Sequence, residues 1–224
     1  MFIPHPSVRL TEAFEERPYQ GMFPHEAQFL FVGLDANYDE RIEQSEIFDR
    51  ILEYHRDGVT FWQRHHVHHP FLLPQYRGDG RRYHQNFSRI GFQPKHASLV
   101  SFVELLHLPT VGRSNLKLHD LSATHLHWVN EAILTGQPKS TFISAGVARL
   151  MRATGLFNWL PRELPQGKVV PVIYSDAGTT VYYHLHFSNY GKFQAQLDAE
   201  AEAIKRMLPY GPPIHPIDEH LART

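Results

Sequence analysis

The stretch Phe29-Leu30-Phe31-Val32-Gly33-Leu34-Asp35-Ala36-Asn37 begins with an apolar run and then becomes polar. A short apolar run of this kind is typical of a strand that is buried on both faces of a sheet. Ser98 to Val103 and Thr141 to Ser144 repeat the pattern further along the chain. Because segments with helical spacing separate these strands, the sequence predicts a three-layer α/β/α fold with a central, mostly parallel sheet of about four to five strands.

Helices are expected where apolar residues recur every three or four positions. Asp39 can cap the first helix, which places Ile42 and Phe48 on its buried face and ends near Gly58. Phe61 to Arg82 shows no such period and predicts a long irregular segment. The remaining elements are a helix over Tyr83 to Ile90, helices over Asp120 to Thr135 and after Gly146, strands over Val169 to Tyr174 and Thr180 to Leu185 joined by a hairpin turn, and a last helix from Phe193 to Leu208.

The composition excludes several classes of protein. The chain has 224 residues, with 22 Lys and Arg against 23 Asp and Glu, so its formal net charge is -1. Without an excess of positive charge no long-range field attracts the protein to a polyanion, and any contact with nucleic acid must be local. The lack of cysteine excludes disulfides, thiolate catalysis, iron–sulfur clusters and cysteine zinc sites.

The chain divides into an N-terminal extension over residues 1–27, a single α/β domain over 28–208 and a proline-rich tail over 209–224. Its first residues lack the basic segment and apolar run of a secretory signal, and no apolar stretch reaches the length of a membrane span. We therefore expect a cytoplasmic protein with no membrane partner. The sequence leaves the oligomeric state open, and a monomer is the simplest expectation.

Four polar residues lie at or just after the ends of predicted strands: Asp35, Glu104, Ser144 and His186. The ligand crevice of an open α/β sheet lies at the carboxyl ends of its parallel strands, so these residues are the candidates for a functional site. Asp35 can also be an ordinary turn residue. His184 and His186 share a face if both lie in a strand, where they form either a metal-ligand pair or a buried polar pair.

The order of four segments resembles the uracil-DNA glycosylase superfamily, nearest to its mismatch-specific and single-strand-selective branches. These segments are Phe31-Val32-Gly33-Leu34-Asp35-Ala36-Asn37, the helix from Arg82 to Phe92, Val103-Glu104-Leu105-Leu106-His107-Leu108-Pro109-Thr110, and His186-Phe187-Ser188-Asn189. The resemblance implies N-glycosidic cleavage of a flipped base during DNA base-excision repair, with no cofactor. DNA, or another substrate that contains a nucleobase, is then the expected partner.

The resemblance also implies a role for each site residue. Asp35 orients or deprotonates the attacking water, and His186 donates a hydrogen bond to the departing base. Glu104 reads the base edge. The other implied contacts are Asn37, Tyr38 and Phe71 around the base, with Phe61 as a further aromatic candidate, and Ser188, Tyr190, Lys192 and Arg113 on DNA.

Three residues depart from the family pattern: Ala36 and Phe187 replace prolines, and Glu104 replaces asparagine. An ionised glutamate only accepts hydrogen bonds, so it suits a base edge that carries N–H and NH2 groups rather than the edge of uracil. On this expectation, Glu104→Asn would shift the preference towards uracil. Alternatively, Glu104 pairs with Arg113 or another cation and contacts no ligand.

The histidine-rich run from His65 to His69 allows a zinc site, but the run contains no acidic ligand. With Arg64, Arg77, Arg81 and Arg82 nearby, contact with phosphate is the simpler functional interpretation. Two rival functions remain open. One is a catalytically inactive relative that binds a base or nucleic acid, and the other is a histidine-rich metal hydrolase. For the glycosylase we expect activity to persist in a chelator.

Overall fold

The computed structural model of the protein describes residues 2–112, 116–165, 167–176 and 178–208. Its fold is α/β, as predicted. The strands are β1 (Tyr19–Gly21), β2 (Phe29–Gly33), β3 (Asn37–Tyr38), β4 (Val100–Glu104), β5 (Thr110–Val111), β6 (Lys139–Ile143), β7 (Val172–Asp176) and β8 (Thr179–Tyr183). The α-helices are α1 (Val8–Glu16), α2 (Phe48–Arg56), α3 (Gly58–His65), α4 (Arg81–Ser88), α5 (Ala123–Leu134), α6 (Ala145–Thr154) and α7 (Gln194–Lys205).

The main sheet has 6 strands in the order β1-β4-β2-β6-β8-β7. Its four central strands are parallel, while β1 and β7 run antiparallel to their neighbours at the two edges. The predicted fold class is therefore confirmed, with one strand more than expected. The additional strand, β1, comes from the segment before residue 28 and pairs with β4 through Tyr19 and Val103.

Side chains of the central strands pack on both faces of the sheet. In β2, Phe31 faces a core that includes Phe87 of α4 and Leu197 of α7. The next residue, Val32, faces the opposite core, which includes Val129 of α5. Because successive residues of a strand point to opposite faces, this continuous apolar run buries itself in two cores and produces three layers.

A third core lies beside the sheet, between α1, α2 and the segment that follows β2. It contains Leu10, Phe14, Tyr38, Ile51 and Phe71, together with further apolar residues. Since α1 belongs to the segment 1–27, that segment packs against the domain over much of its length. A small second sheet of β3 and β5 lies at the edge of this core and pairs Asn37 with Thr110.

The structure corrects two predicted elements. The helix expected after Asp39 ends near Gly58, as predicted, but its first part is a 3₁₀ turn at Ile42–Gln44, and the α-helix α2 spans only Phe48–Arg56. Asp57 then caps α3, which starts at Gly58, by accepting a hydrogen bond from the Thr60 amide at 2.9 Å. The segment from Phe61 to Arg82 is consequently helical at both ends and contains a 3₁₀ turn at Pro70–Leu72.

Of the helices in the described ranges, none is long and apolar enough to cross a bilayer. The proline-rich segment 209–224 lies outside the described residues.

Candidate active site at the carboxyl edge of the sheet

The topology brings the strand-end residues to one edge of the sheet. Gly33 and Glu104 are paired neighbours in the parallel strands β2 and β4, and Asp35 follows two residues later. On the other side of β2, β6 ends next to Ser144 and β8 ends at Tyr183, just before His186. Parallel strands end at the same edge, so the carboxyl groups from β2 and β4 and the histidine after β8 share one crevice region.

Asp35 is held by a short chain of hydrogen bonds. The hydroxyl of Thr110, which is fully buried, donates to Asp35 Oδ2 at 2.5 Å. The Asn37 amide donates to that hydroxyl oxygen at 3.1 Å and also to the carbonyl of Gly112. The sequence predicted a base contact for Asn37, whereas the structure uses its amide to orient Thr110 and, through it, Asp35.

Glu104 lies in a space that only glycine provides. A Cβ atom on Gly33 would lie 1.9 Å from Glu104 Oε2, so the side chain fills the volume that any other residue at 33 would occupy. The backbone carbonyl of Glu104 accepts a hydrogen bond from His125 Nε2 at 2.8 Å, which fixes the strand end. The carboxyl is therefore recessed between β2, β4 and the helices.

Burial, together with the nearby Asp35 carboxyl, raises the pKa of Glu104 to about 8. This shift favours a protonated carboxyl at neutral pH, whereas the sequence expectation was an ionised glutamate. A neutral carboxyl has one donor and one acceptor, which removes the mismatch with uracil. Within the described ranges, no cation forms an ion pair with Glu104, and the alternative partner Arg113 lies outside the described residues.

His186 is prepared as a neutral donor. Burial lowers the pKa of its imidazole. The backbone N–H of Ser188 donates to Nδ1 at 3.2 Å, and the Ser188 hydroxyl lies 2.7 Å from the same nitrogen. Because Nδ1 accepts from a backbone N–H, the proton of the neutral ring is on Nε2. Ser188, predicted to contact DNA, uses its hydroxyl within the protein to orient His186.

Two buried side chains anchor the loop that carries His186. Asn86 of α4 donates to the carbonyls of Phe187 at 2.6 Å and Asn189 at 3.0 Å. From the other side, Glu200 of α7 accepts a hydrogen bond from the Leu185 amide at 2.8 Å. The loop is thus held by helices on both flanks, and its sequence alone did not identify either anchor.

The aromatic residues that were predicted to surround the base are buried in the core instead. Tyr38 and Phe71 are each 3% exposed and pack on one another in the third core, and Phe61 is 0% exposed. These rings have the ordinary core role. Among the aromatic side chains of α4, Tyr83 lies near the strand-end residues: its half-buried ring lies 5.3 Å from the His186 ring, and burial, with a smaller contribution from Glu104, raises the pKa of its hydroxyl. The sequence signal for Tyr83 was its position in the helix from Arg82 to Phe92, which is one of the four segments that carry the resemblance.

Two histidines of the histidine-rich run are buried, whereas His66 is exposed. His68 and His69 are each 3% exposed, and His69 stacks on His84 of α4 with ring centroids 3.6 Å apart. His68 Nε2 and His84 Nδ1 share a hydrogen bond of 3.1 Å. Burial lowers the pKa of His68 to about 3, so this cluster is neutral at physiological pH. The phosphate interpretation is wrong for these two residues.

The arginines of that region differ in what they contact. Arg64 pairs with Glu53, and Arg81 donates to the backbone carbonyls of Phe71, Leu73 and Tyr76. Arg82 instead contacts an aromatic ring, because its guanidinium lies 4.3 Å from the centre of the Tyr190 ring. Tyr190 is 63% exposed. Both residues line a groove of about 370 Å³ beside the His186 loop. The residues that line this groove are Arg82, Gln85, Asn86, Arg89, Tyr190 and Gln194.

The structure also separates the two histidines after β8. The strand ends at Tyr183, so the prediction that both histidines belong to it is wrong. His184 is 3% exposed and bonds the carbonyl of Leu185, whereas His186 is partly exposed at the crevice. Within the described ranges no three His, Asp or Glu side chains are grouped so that they could hold a metal ion.

Comparison with known protein families and with curated proteins gave no match to this chain.

Proposed function

We propose that this protein is a DNA N-glycosylase, which hydrolyses the bond between a flipped, damaged or deaminated base and its sugar in base-excision repair. The observation that carries the proposal is the combination at one sheet edge of Asp35, a neutral Glu104 and a neutral His186 that presents its Nε2–H. This set matches the roles that the sequence resemblance assigns to the same three residues.

In the proposed reaction, water attacks C1′ of the sugar while the C1′–N bond breaks. The bonding electrons leave with the base, so positive charge develops on the sugar and negative charge on the base. The Asp35 carboxylate stabilises the sugar and takes a proton from water. His186 Nε2–H donates a hydrogen bond to the developing negative charge, and the base finally acquires a proton from solvent.

Binding of DNA is assigned to the groove beside the His186 loop. The contact of Arg82 with the Tyr190 ring offers both a cation for phosphate and an aromatic surface for a base. Lys192 is exposed two residues further along. Tyr83, whose ring lies 5.3 Å from the His186 ring, is the proposed stacking partner of the flipped base. A local patch of this size agrees with a net charge of -1.

The test is an assay for abasic sites on single-stranded and duplex oligonucleotides that carry uracil, hypoxanthine or alkylated bases. Asp35→Asn is expected to reduce the rate by about 10²- to 10⁴-fold. His186→Ala is expected to reduce it by about 10²- to 10³-fold. Because both residues act on reaction charge rather than base identity, each variant should slow all cleaved substrates by a similar factor.

The matched control is His119→Gln, which removes an exposed histidine. It should cleave at the parent rate. If the parent binds these oligonucleotides but releases no base, the protein is a binding member of the fold and the proposed activity is wrong. Loss of activity in EDTA with recovery in zinc would instead favour a metal hydrolase.

A further inference from the structure

The Glu104 carboxyl has the character of a ligand-binding group. It is enclosed against Gly33, yet Glu104 retains partial exposure at the crevice. Among the residues that the structure describes, none hydrogen-bonds its carboxyl oxygens, although the backbone carbonyl of the same residue is bonded to His125. Because its carboxyl oxygens have no protein partner within the described ranges and the residue is partly exposed at the crevice, they are available for hydrogen bonds to a bound ligand.

The surroundings of this carboxyl favour its neutral form. The ionisable groups that face it come from each neighbouring element. They are Asp35 after β2, Tyr38 in β3, Tyr54 in α2, Tyr83 in α4 and, on its backbone side, His125 in α5. Asp35 repels a second negative charge, and burial keeps the three tyrosines neutral by raising their pKa values. Burial also lowers the pKa of His125, so none of these groups supplies a cation. Both the geometry and the charges therefore keep a proton on Glu104.

We propose that Glu104 reads the base as a neutral carboxylic acid, donating one hydrogen bond and accepting one, and that the site loses its base when this proton leaves. The proposal rests on the glycosylase function above and specifies how that site selects its substrate. The base edge that it takes has an adjacent donor and acceptor, as in the ring N–H and carbonyl of uracil and hypoxanthine.

Ionisation reverses this complementarity. A carboxylate offers only acceptors, and one of its oxygens would then face the base carbonyl, which is also an acceptor. That contact is repulsive and leaves a buried charge without a partner. Since the pKa of Glu104 is about 8, the binding-competent form should decline between neutral pH and pH 9, by about tenfold overall.

The experiment measures single-turnover release of uracil and of hypoxanthine from single-stranded oligonucleotides between pH 6.5 and pH 9. The parent rate should fall by about tenfold between pH 7 and pH 9. Glu104→Gln keeps one donor and one acceptor in nearly the same volume but cannot ionise. Its rate should therefore lose this decline, whatever its absolute value. The variant also controls for ionisation of the base itself.

Tyr54→Phe is the second control, because it removes another ionisable group near Glu104 and should keep the decline. A decline that persists in Glu104→Gln, or a parent rate that is constant across this range, would overturn the proposal. Preferred release of a base whose edge carries two donors would do so as well.

Free uracil provides a readout that does not need catalysis. If no oligonucleotide is cleaved at any pH, the proposed activity is wrong, and binding of uracil is measured by calorimetry at pH 6.5 and pH 9. Binding that weakens at pH 9 in the parent but not in Glu104→Gln supports the reading role without catalysis. Absence of uracil binding by the parent at pH 6.5 overturns it.

Discussion

The orientation of Asp35, the central charge of the proposed site, depends in part on one buried hydroxyl. Thr110 is 0% exposed, and its hydroxyl donates a hydrogen bond to Asp35 Oδ2 at 2.5 Å and accepts one from the Asn37 amide at 3.1 Å. A hydrogen bond to a charged group contributes about 1.5 to 3 kcal/mol, more than one between neutral groups. The sequence resemblance placed Thr110 in the middle segment without a chemical role, and the structure supplies that role.

Thr110→Val removes the hydroxyl and preserves the shape of the side chain. Because the carboxylate of Asp35 then loses the hydrogen bond from this hydroxyl, the rate of base release should fall by about 10- to 100-fold. Single-turnover assays on the oligonucleotide that the parent cleaves best measure this effect, and Thr110→Ser, which keeps the hydroxyl, is the matched control. Equal rates in the two variants would show that the bond does not orient Asp35 for reaction.

The loop from His186 to Asn189 depends on two helices that are distant from it in sequence. Asn86 is 5% exposed, and both hydrogens of its amide are used on carbonyls of this loop. Glu200, 2% exposed, accepts from the Leu185 amide just before it. Helices α4 and α7 therefore fix the position of His186, while the adjacent groove remains open on the side of Tyr190.

Asn86→Ala is expected to leave two loop carbonyls without donors and to destabilise the protein by about 1 to 3 kcal/mol. The local consequence should be faster hydrogen exchange at the Ser188 and Asn189 amides. Urea denaturation and exchange mass spectrometry measure both effects. Gln85→Ala, an exposed neighbour on the same helix, should change neither. Unaltered exchange in Asn86→Ala would contradict the anchoring role.

The sheet was predictable because parallel strands buried on both faces are continuous apolar runs, as β2 and β4 are. Strand β1 was missed because Tyr19–Gly21 has only three residues, too few to show a period. Helix α3 was missed because its histidines and the following prolines resemble a loop, although Asp57 was a valid N-cap signal. Local sequence therefore identified the layers but not the short elements that tertiary contacts stabilise.

The candidate site was predictable in position more than in chemistry. Strand ends locate Asp35, Glu104 and His186 because topology alone decides which edge they share. The neutral state of Glu104 was not predictable, since it depends on burial by groups from α2, α4 and β3. The core position of Tyr38 and the exposure of Tyr83 depend in the same way on packing between distant segments.

Buried neutral histidines make the stability of the whole protein sensitive to acid. Burial lowers the pKa of His55, His68 and His184 to about 3 and that of His69 well below its usual value. Below about pH 6.5 the unfolded chain binds protons that the folded protein cannot, so the stability is complete above this pH and declines below it. At pH 5.5 each histidine costs about 1.4 kcal/mol, or roughly 5.5 kcal/mol for the four.

Glu104 acts in the opposite direction, because its pKa is about 8 in the folded protein and the folded state gains protons as the pH falls. Between pH 7.5 and pH 5.5 this gain is roughly 2.5 kcal/mol, which leaves a net loss of roughly 3 kcal/mol. Urea denaturation at the two pH values measures the difference. A stability that is equal or higher at pH 5.5 would contradict the assignment of these histidines as buried and neutral.

The most direct test of the proposed site is the identity and amount of the product. After single-turnover incubation with a uracil-containing oligonucleotide, free uracil is quantified by mass spectrometry and abasic sites by alkaline strand cleavage. Free uracil and abasic sites should appear in a one-to-one ratio, and Asp35→Asn should lower the two together by about 10²-fold or more. Release of no free base from any oligonucleotide of the panel, or release at the parent rate by Asp35→Asn, would contradict it.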